Sequence, residues 1–199
     1  MDVIRDGHVP SIAEVAVRAG VARATAYRYF PSRSVLITAV VDHSLTPVRS
    51  WKSEKTDGRE RVLEMFAATF PSFKRFEPQL RAAVQLSLEQ WALERAGLLE
   101  EEPYRRGHRV GIVGHALEPF EGVMPAAVLD RLRKSLSLIY GIEPHIVLKD
   151  IWGASDREVE QTVLWMAEAI VSAALREAQA LARLNGAQPP KRATRRVQE

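Results

Sequence analysis

The chain has 199 residues, of which 46% are hydrophobic and 27% charged, and its formal net charge is +3. This length and composition are typical of a globular protein with a sizeable core, and they exclude collagen-like, disordered and membrane-spanning chains. The lack of cysteine excludes disulfides and thiolate metal sites, and no stretch resembles an export signal or a membrane span, so we expect a cytoplasmic protein.

The positive charge lies at the end of the chain. Residues 188–199 contain four basic side chains and one acidic side chain, which accounts for the whole net charge. Because the rest of the chain is balanced, net charge alone says little about a nucleic-acid partner. We expect residues 187–199 to form a basic, disordered tail, and an arm that touches phosphates is the alternative.

Apolar residues recur at helical spacing along nearly the whole chain, and convincing strand alternation is missing, so we predict an all-α fold. In residues 1–48 we predict short helices, the first between the N-cap Ser11 and the stop Gly20, the second over residues 23–30, and the third after the N-cap Ser32. The third is expected to end before Pro47. The polar stretch 49–58 predicts a hinge, followed by a larger helical domain over residues 59–186.

Five further helices and a short one are predicted in the larger domain. One should begin near Tyr104 and another at Pro125. A helix that begins near Pro78 is expected to have an apolar face made of Leu80, Val84, Leu88 and Trp91. The last helix is the longest and begins at a capping box of Ser155 and Glu158. Its apolar repeat is expected to be packed, and we predict packing against a second copy of the chain, with packing inside its own chain as the alternative. The candidate dimer-interface residues are Val159, Val163, Met166, Ile170 and Ala173.

Residues 11–41 have the pattern of a helix-turn-helix. Gly20 permits a tight turn, and Val21 is predicted to fill the angle between the two helices. On the second helix Ala26 and Phe30 are spaced to face the core, which leaves the other side chains pointing outward. Arginine can donate two hydrogen bonds to guanine, a small residue allows close approach to the groove, and hydroxyl groups can bond to phosphate oxygens.

The pattern Ile-Ala-x-x-Ala-x-x-Ala-Gly-Val-x-x-x-Thr-x-Tyr-x-Tyr-Phe-x-x-Arg-x-x-Leu, which begins at Ile12, resembles the DNA-binding signature of TetR-type transcriptional regulators. The resemblance implies a homodimeric repressor on a palindromic operator in double-stranded DNA. It also implies release from the operator when a small, partly apolar effector binds among the C-terminal helices. The candidate DNA-binding residues are Arg23, Ala24, Thr25, Tyr27, Arg28, Tyr29 and Arg33.

Within that set, the family pattern implies that Arg23, Ala24 and Arg28 lie nearest the base edges and that Thr25, Tyr27 and Arg33 position phosphates. Two features depart from the pattern. Ala22 stands where the family often has a capping serine, and the missing hydrogen bond costs about 1 kcal/mol. Only seven residues precede the loop before the motif, so the first helix is expected to be truncated, through a late start or a genuinely shorter member.

Enzyme and metal signals are weak. His115 and Glu118 are three residues apart, but they belong to no recognisable ligand cluster, so we predict no catalytic residue, no metal and no cofactor. The glycines near residue 110 lack dinucleotide-binding spacing and follow no predicted strand. Some aromatic residues could line a ligand pocket, but the sequence does not select among Phe66, Phe70, Phe73, Trp91, Trp152 and Trp165. The alternative function is a helical ligand-binding or protein-interaction module whose DNA-binding head is non-functional.

Overall fold

The computed structural model describes residues 4, 9–104 and 107–186. Within these ranges the chain forms ten α-helices and no strand, which confirms the all-α prediction. The expected truncated helix ahead of the motif and the basic tail over residues 187–199 lie outside the described residues. No helix in the described ranges is both long enough and apolar enough to span a bilayer.

The first three helices begin and end where local signals place them. They are α1 (Ile12–Ala19), α2 (Arg23–Tyr29) and α3 (Arg33–Ser44). At the start of α1, Ser11 Oγ accepts from the backbone N–H of Glu14 at 3.2 Å, and Glu14 Oε2 accepts from the backbone N–H of Ser11 at 2.6 Å. Gly20 ends α1 in the left-handed conformation with φ 66°, which an L side chain would resist.

A small apolar core joins these three helices, formed by Ile12, Ala16, Ala26 and Leu36. Val21 is 44% exposed, so the prediction that it fills the angle between α1 and α2 is wrong. The two helices meet through the small side chains of Ala16 and Ala26, which leave little space for a larger residue to fill.

Seven helices follow. A short α4 (Thr46–Arg49) comes directly after α3, and residues 51–57 have no regular secondary structure. The others are α5 (Gly58–Arg75), α6 (Glu77–Arg95), α7 (His108–Leu117), α8 (Ala126–Ile139), α9 (Glu143–Trp152) and α10 (Asp156–Gly186). The larger core lies where α10 packs on α5 and α8, and it also includes side chains from the C-terminal half of α3.

The buried face of α6 differs from the predicted one. Leu80 is buried, but Leu88 and Trp91 are 63% and 60% exposed, so the predicted face is wrong for its last two positions. The positions that are buried together with Leu80 are Gln79, Ala82, Ala83, Leu86 and Gln90. The short alanine side chains allow α6 to pack closely against neighbouring helices, where leucine and tryptophan would be too large.

The buried stripe of α10 also corrects a prediction. Val159 and Val163, predicted for the dimer interface, are wholly buried inside their own chain, together with Ala167 and Val171. This stripe repeats every four residues, so it follows the α5 and α8 surfaces of the same chain. Of the other predicted interface residues, Met166 and Ile170 are half-buried and pack against this core, and Ala173 is exposed.

His145 is a buried titratable group in the larger core. Its ring stacks on Phe70, with the ring centres 4.8 Å apart, and its Nδ1 has no hydrogen-bond partner among the described residues. Burial lowers the pKa of this imidazole below its usual value, because the charged form loses its hydration. The folded protein therefore favours the neutral form of His145 more strongly than the unfolded chain does.

We expect this burial to make the fold sensitive to mild acid. As pH falls below about 6.5, the unfolded chain takes up a proton at residue 145 before the folded chain does, so stability falls towards the lower folded-state pKa. The free energy of unfolding should therefore decrease more steeply as pH falls below about 6.5 for the natural chain than for His145→Phe, which keeps the stacked ring. His43→Gln, a change at an exposed histidine, is the matched control for urea titrations. Parallel pH profiles for the natural chain and His145→Phe would contradict this account.

Candidate nucleic-acid interface and internal cavity

The outer face of α2 carries most of the predicted DNA-binding side chains. Ala26 packs inward, and Thr25 is half-buried beside it. The exposed members of the predicted set on this helix are Arg23, Ala24, Tyr27, Arg28 and Tyr29. At helical spacing Arg23, Ala24, Tyr27 and Arg28 share one side of α2, which is rich in hydrogen-bond donors, and Tyr29 is exposed on a different side.

Two local features shape that surface. The guanidinium of Arg28 lies 5.3 Å from the centre of the Tyr29 ring, which is within the range of a cation–π contact. Ala22 is the N-cap of α2, and its methyl side chain has no atom that can accept a capping hydrogen bond. The orientation of α2 is therefore fixed by its packing on α1 and not by its own cap.

Arg33 has a partner that the sequence did not reveal. It lies at the start of α3, but its two terminal nitrogens donate to the two carboxylate oxygens of Glu89 on α6, at 2.9 and 3.0 Å. This pairing lowers the pKa of the Glu89 carboxyl and raises that of the Arg33 guanidinium. For Arg33 to reach a phosphate, it must exchange Glu89 for that phosphate.

Gln90 makes a second polar link between α3 and α6. Its Nε2 donates to Ser34 Oγ at 2.7 Å and to Glu101 at 2.6 Å, and its Oε1 accepts from the backbone N–H of Tyr104 at 2.7 Å. Helical spacing gave a signal for this role, because Gln90 follows the buried Leu86 by one turn. No local signal could have paired Glu89 with Arg33, which precedes it by 56 residues.

A cavity of about 630 Å³ lies among α3 to α7 and the segment between α8 and α9. Its apolar walls include Val41, Leu45, Val48, Leu80, Val84 and Ile112. Four aromatic residues also line it, namely Trp51, Phe73, Tyr104 and Tyr140, and Phe73 is the one shared with the six aromatic candidates that the sequence offered. The cavity draws on six or more separate segments, which is why no single stretch of sequence predicted it.

The cavity also has a polar side. Arg49 and Lys52 reach it from the end of α4 and the segment after it, and Arg109 and His115 reach it from α7. No aspartate or glutamate is among the described residues that line it. Gly107 and Gly111 form part of the wall, and a Cβ added at either would meet no atom within 4 Å.

His115 and Glu118 lie together, but their contacts are those of an ion-pair cluster. His115 Nδ1 is 2.8 Å from Glu118 Oε1, and Arg61 donates to Glu118 Oε2 at 2.7 Å. The hydrogen bond with His115 is the main cause of the lowered Glu118 pKa. Across the residues that the structure describes, no group of three or more histidine, cysteine or acidic side chains could hold a metal ion.

Comparison with known proteins supports the assignment of the first helices. Residues 8–40 match the family model described as bacterial regulatory proteins, tetR family. No curated protein and no solved structure matched the chain. The matched segment contains α1, α2, the turn at Gly20 and most of α3, which are the elements that form and support the exposed α2 surface.

TetR-family regulators are DNA-binding proteins and not enzymes, and a domain of this type implies a transcriptional regulator. The chain therefore carries a TetR-family N-terminal helix-turn-helix DNA-binding domain at residues 8–40, followed by a helical C-terminal region.

Proposed function

We propose that the protein is a ligand-responsive repressor that binds a palindromic operator as a homodimer. The observation that carries this proposal is that the cavity shares α3 and α4 with the DNA-binding head. Leu36 of α3 belongs to the core of the head, and Val41 of the same helix lines the cavity. Occupation of the cavity would therefore act on the helix that supports α2.

On DNA, we assign Arg23, Ala24 and Arg28 to the base edges of the major groove. Thr25, Tyr27 and Tyr29 have hydroxyl groups suited to phosphate oxygens, and their partial or full exposure supports this role. Arg33 would join them after leaving Glu89. Two such heads related by a dyad could read half-sites about 34–36 Å apart.

We place the dimer contact on the outer face of α10. Trp165, Ala169 and Ala173 are one turn apart and all are exposed, with Trp165 71% exposed. An apolar face that includes a large aromatic residue is typical of protein interfaces, and self-association through it would give a symmetric four-helix contact with α8. This proposed contact retains Ala173 from the predicted interface residues and leaves out Val159 and Val163, which are buried.

We retain the proposed division into a head over residues 1–48, a hinge over 49–58 and a body over 59–186. In this division α3 is the shared element, because Ile37, Val41 and Leu45 pack into the body core. A ligand that binds more tightly when the heads are spread would lower operator affinity by its differential binding free energy. A ligand with equal affinity for both states would have no effect.

The operator itself tests the proposal. We expect selection from a random duplex library to enrich two inverted half-sites whose centres are about 10 base pairs, or a multiple of that, apart. Trp165→Glu should reduce the dimer fraction in sedimentation and weaken binding to the full palindrome while leaving helicity unchanged. Leu184→Glu, at an exposed position near the end of α10, is a matched control. Enrichment of one isolated half-site, or of no sequence, would contradict the proposal.

A further inference from the structure

We infer that the cavity binds an amphipathic organic anion with an apolar body and a carboxylate head. The inference rests on the proposed function, since it names the chemical class of the effector. The volume of about 630 Å³ is within the range of about 300–1,000 Å³ in which pockets enclose a drug-sized molecule.

The walls favour an apolar body. Aliphatic side chains from α3, α4 and α6 face aromatic residues such as Trp51 and Phe73. The Tyr140 hydroxyl donates to Thr69 Oγ1 at 2.8 Å, so this side chain already has a partner for its polar group. A ring system or an alkyl chain would therefore bury its surface here without leaving the Tyr140 hydroxyl unpaired.

The polar side favours an anionic head. The charged residues that line the cavity are Arg49, Lys52 and Arg109, and His115 adds a hydrogen-bonding ring. No lining residue that the structure describes is acidic. A cationic ligand would find no acidic side chain in the lining itself, and a carboxylate would meet donors from two different elements.

Carboxylates outside the cavity hold three of these four groups in place. Arg49 pairs with Asp42 at 2.9 Å, Arg109 with Glu143 at 2.6 Å, and His115 with Glu118 at 2.8 Å. Arg109 also donates to the backbone carbonyl of Ser137 at 2.8 Å. These contacts fix the positions of the basic groups before a ligand arrives, which reduces the entropy cost of binding.

Lys52 differs from the others because it has no ion-pair partner among the described residues. It lies three residues after the end of α4 and next to Trp51, which lines the same cavity. Lys52 is exposed to solvent, and a ligand carboxylate would give its ammonium group an ion-pair partner. A carboxylate that paired with Lys52 and with the basic groups of α7 would link the segment after α4 to α7. Because α4 directly follows α3, this link would act on the connection to the DNA-binding domain.

Isothermal titration of the full chain with three matched probes tests the inference. The probes are 2-naphthoate, 2-naphthamide and 2-naphthylmethylammonium, which share one apolar body and carry negative, neutral and positive heads. Decanoate provides a second carboxylate with an aliphatic body. We expect at least one carboxylate to bind, and 2-naphthoate to bind at least about tenfold more tightly than its amide or its ammonium analogue.

Two variants locate the site. Lys52→Gln should weaken carboxylate binding about tenfold and leave amide binding unchanged, and Lys134→Gln, which alters an exposed lysine on α8 outside the cavity lining, should change neither. Gly111→Leu should weaken both probes, because its side chain would occupy open space in the cavity wall. Circular dichroism checks that each variant is folded.

The inference would be overturned by equal or tighter binding of the amide or ammonium probe, by no saturable carboxylate binding below about 1 mM, or by a Lys52→Gln variant that binds like the natural chain. Operator binding is measured separately. Duplex binding without carboxylate binding would contradict the inference but not the proposed regulator. Carboxylate binding without duplex binding would contradict the proposed regulator but not the anion site.

Discussion

Phe66→Ala is expected to lower the free energy of unfolding by about 3–5 kcal/mol, the range for removing a large aromatic side chain from a packed core. Phe66 is wholly buried on α5, and its ring meets that of Tyr140 edge-on, with the ring centres 5.3 Å apart. The deletion removes apolar burial, leaves a cavity and ends this aromatic contact. Because Tyr140 also lines the cavity, the effect should reach the cavity as well as the core.

Urea unfolding at a fixed protein concentration measures this loss, since the stability of the proposed dimer would depend on concentration. The matched control is Trp152→Ala, which removes a larger ring that is 77% exposed and should change stability by no more than about 0.5 kcal/mol. Comparable losses in the two variants would mean that the core does not lie where α5, α8 and α10 meet.

Arg23→Ala and Arg28→Ala are each expected to weaken operator binding by about 1–3 kcal/mol, or about 5- to 150-fold, and to relax base preference. Both side chains are exposed on α2, and each arginine can donate two parallel hydrogen bonds to guanine. Arg33→Ala should weaken binding to all duplexes alike, because a phosphate contact carries no sequence information.

Competition titrations with the selected operator and single-base variants separate these effects. Arg18→Ala removes an exposed arginine from the last turn of α1, and it should leave base preference unchanged. If both Arg23→Ala and Arg28→Ala bound the operator as the natural chain does, α2 would not be the recognition helix.

The first helices could be predicted from the sequence because their ends are set by local chemistry. A capping box at Ser11 and Glu14, a left-handed glycine at position 20 and a second N-cap at Ser32 all act within four residues. The outward face of α2 followed from its buried Ala26. The sequence therefore revealed most of the candidate DNA surface.

The remaining features depend on contacts between distant segments. The partner of Arg33 is Glu89, and the face that α6 buries is decided by the helices that pack on it, so Leu88 is exposed although its spacing favours burial. The predicted helix start near Tyr104 is wrong: α7 begins at His108, and the backbone N–H of Tyr104 donates to the Gln90 side chain of α6, a contact with a distant segment. Apolar periodicity identifies a helix, but it does not identify the neighbour that covers each face.

The central claim is that this chain binds a specific duplex through its TetR-family head, and a titration against DNA fragments flanking its gene at about 50 and 200 mM salt tests it most directly. We predict tight binding to one fragment, weaker binding to a scrambled duplex, and a loss of affinity for both at the higher salt concentration. Failure to bind any fragment in a salt-dependent manner would contradict the claim and favour a ligand-binding module with a non-functional head.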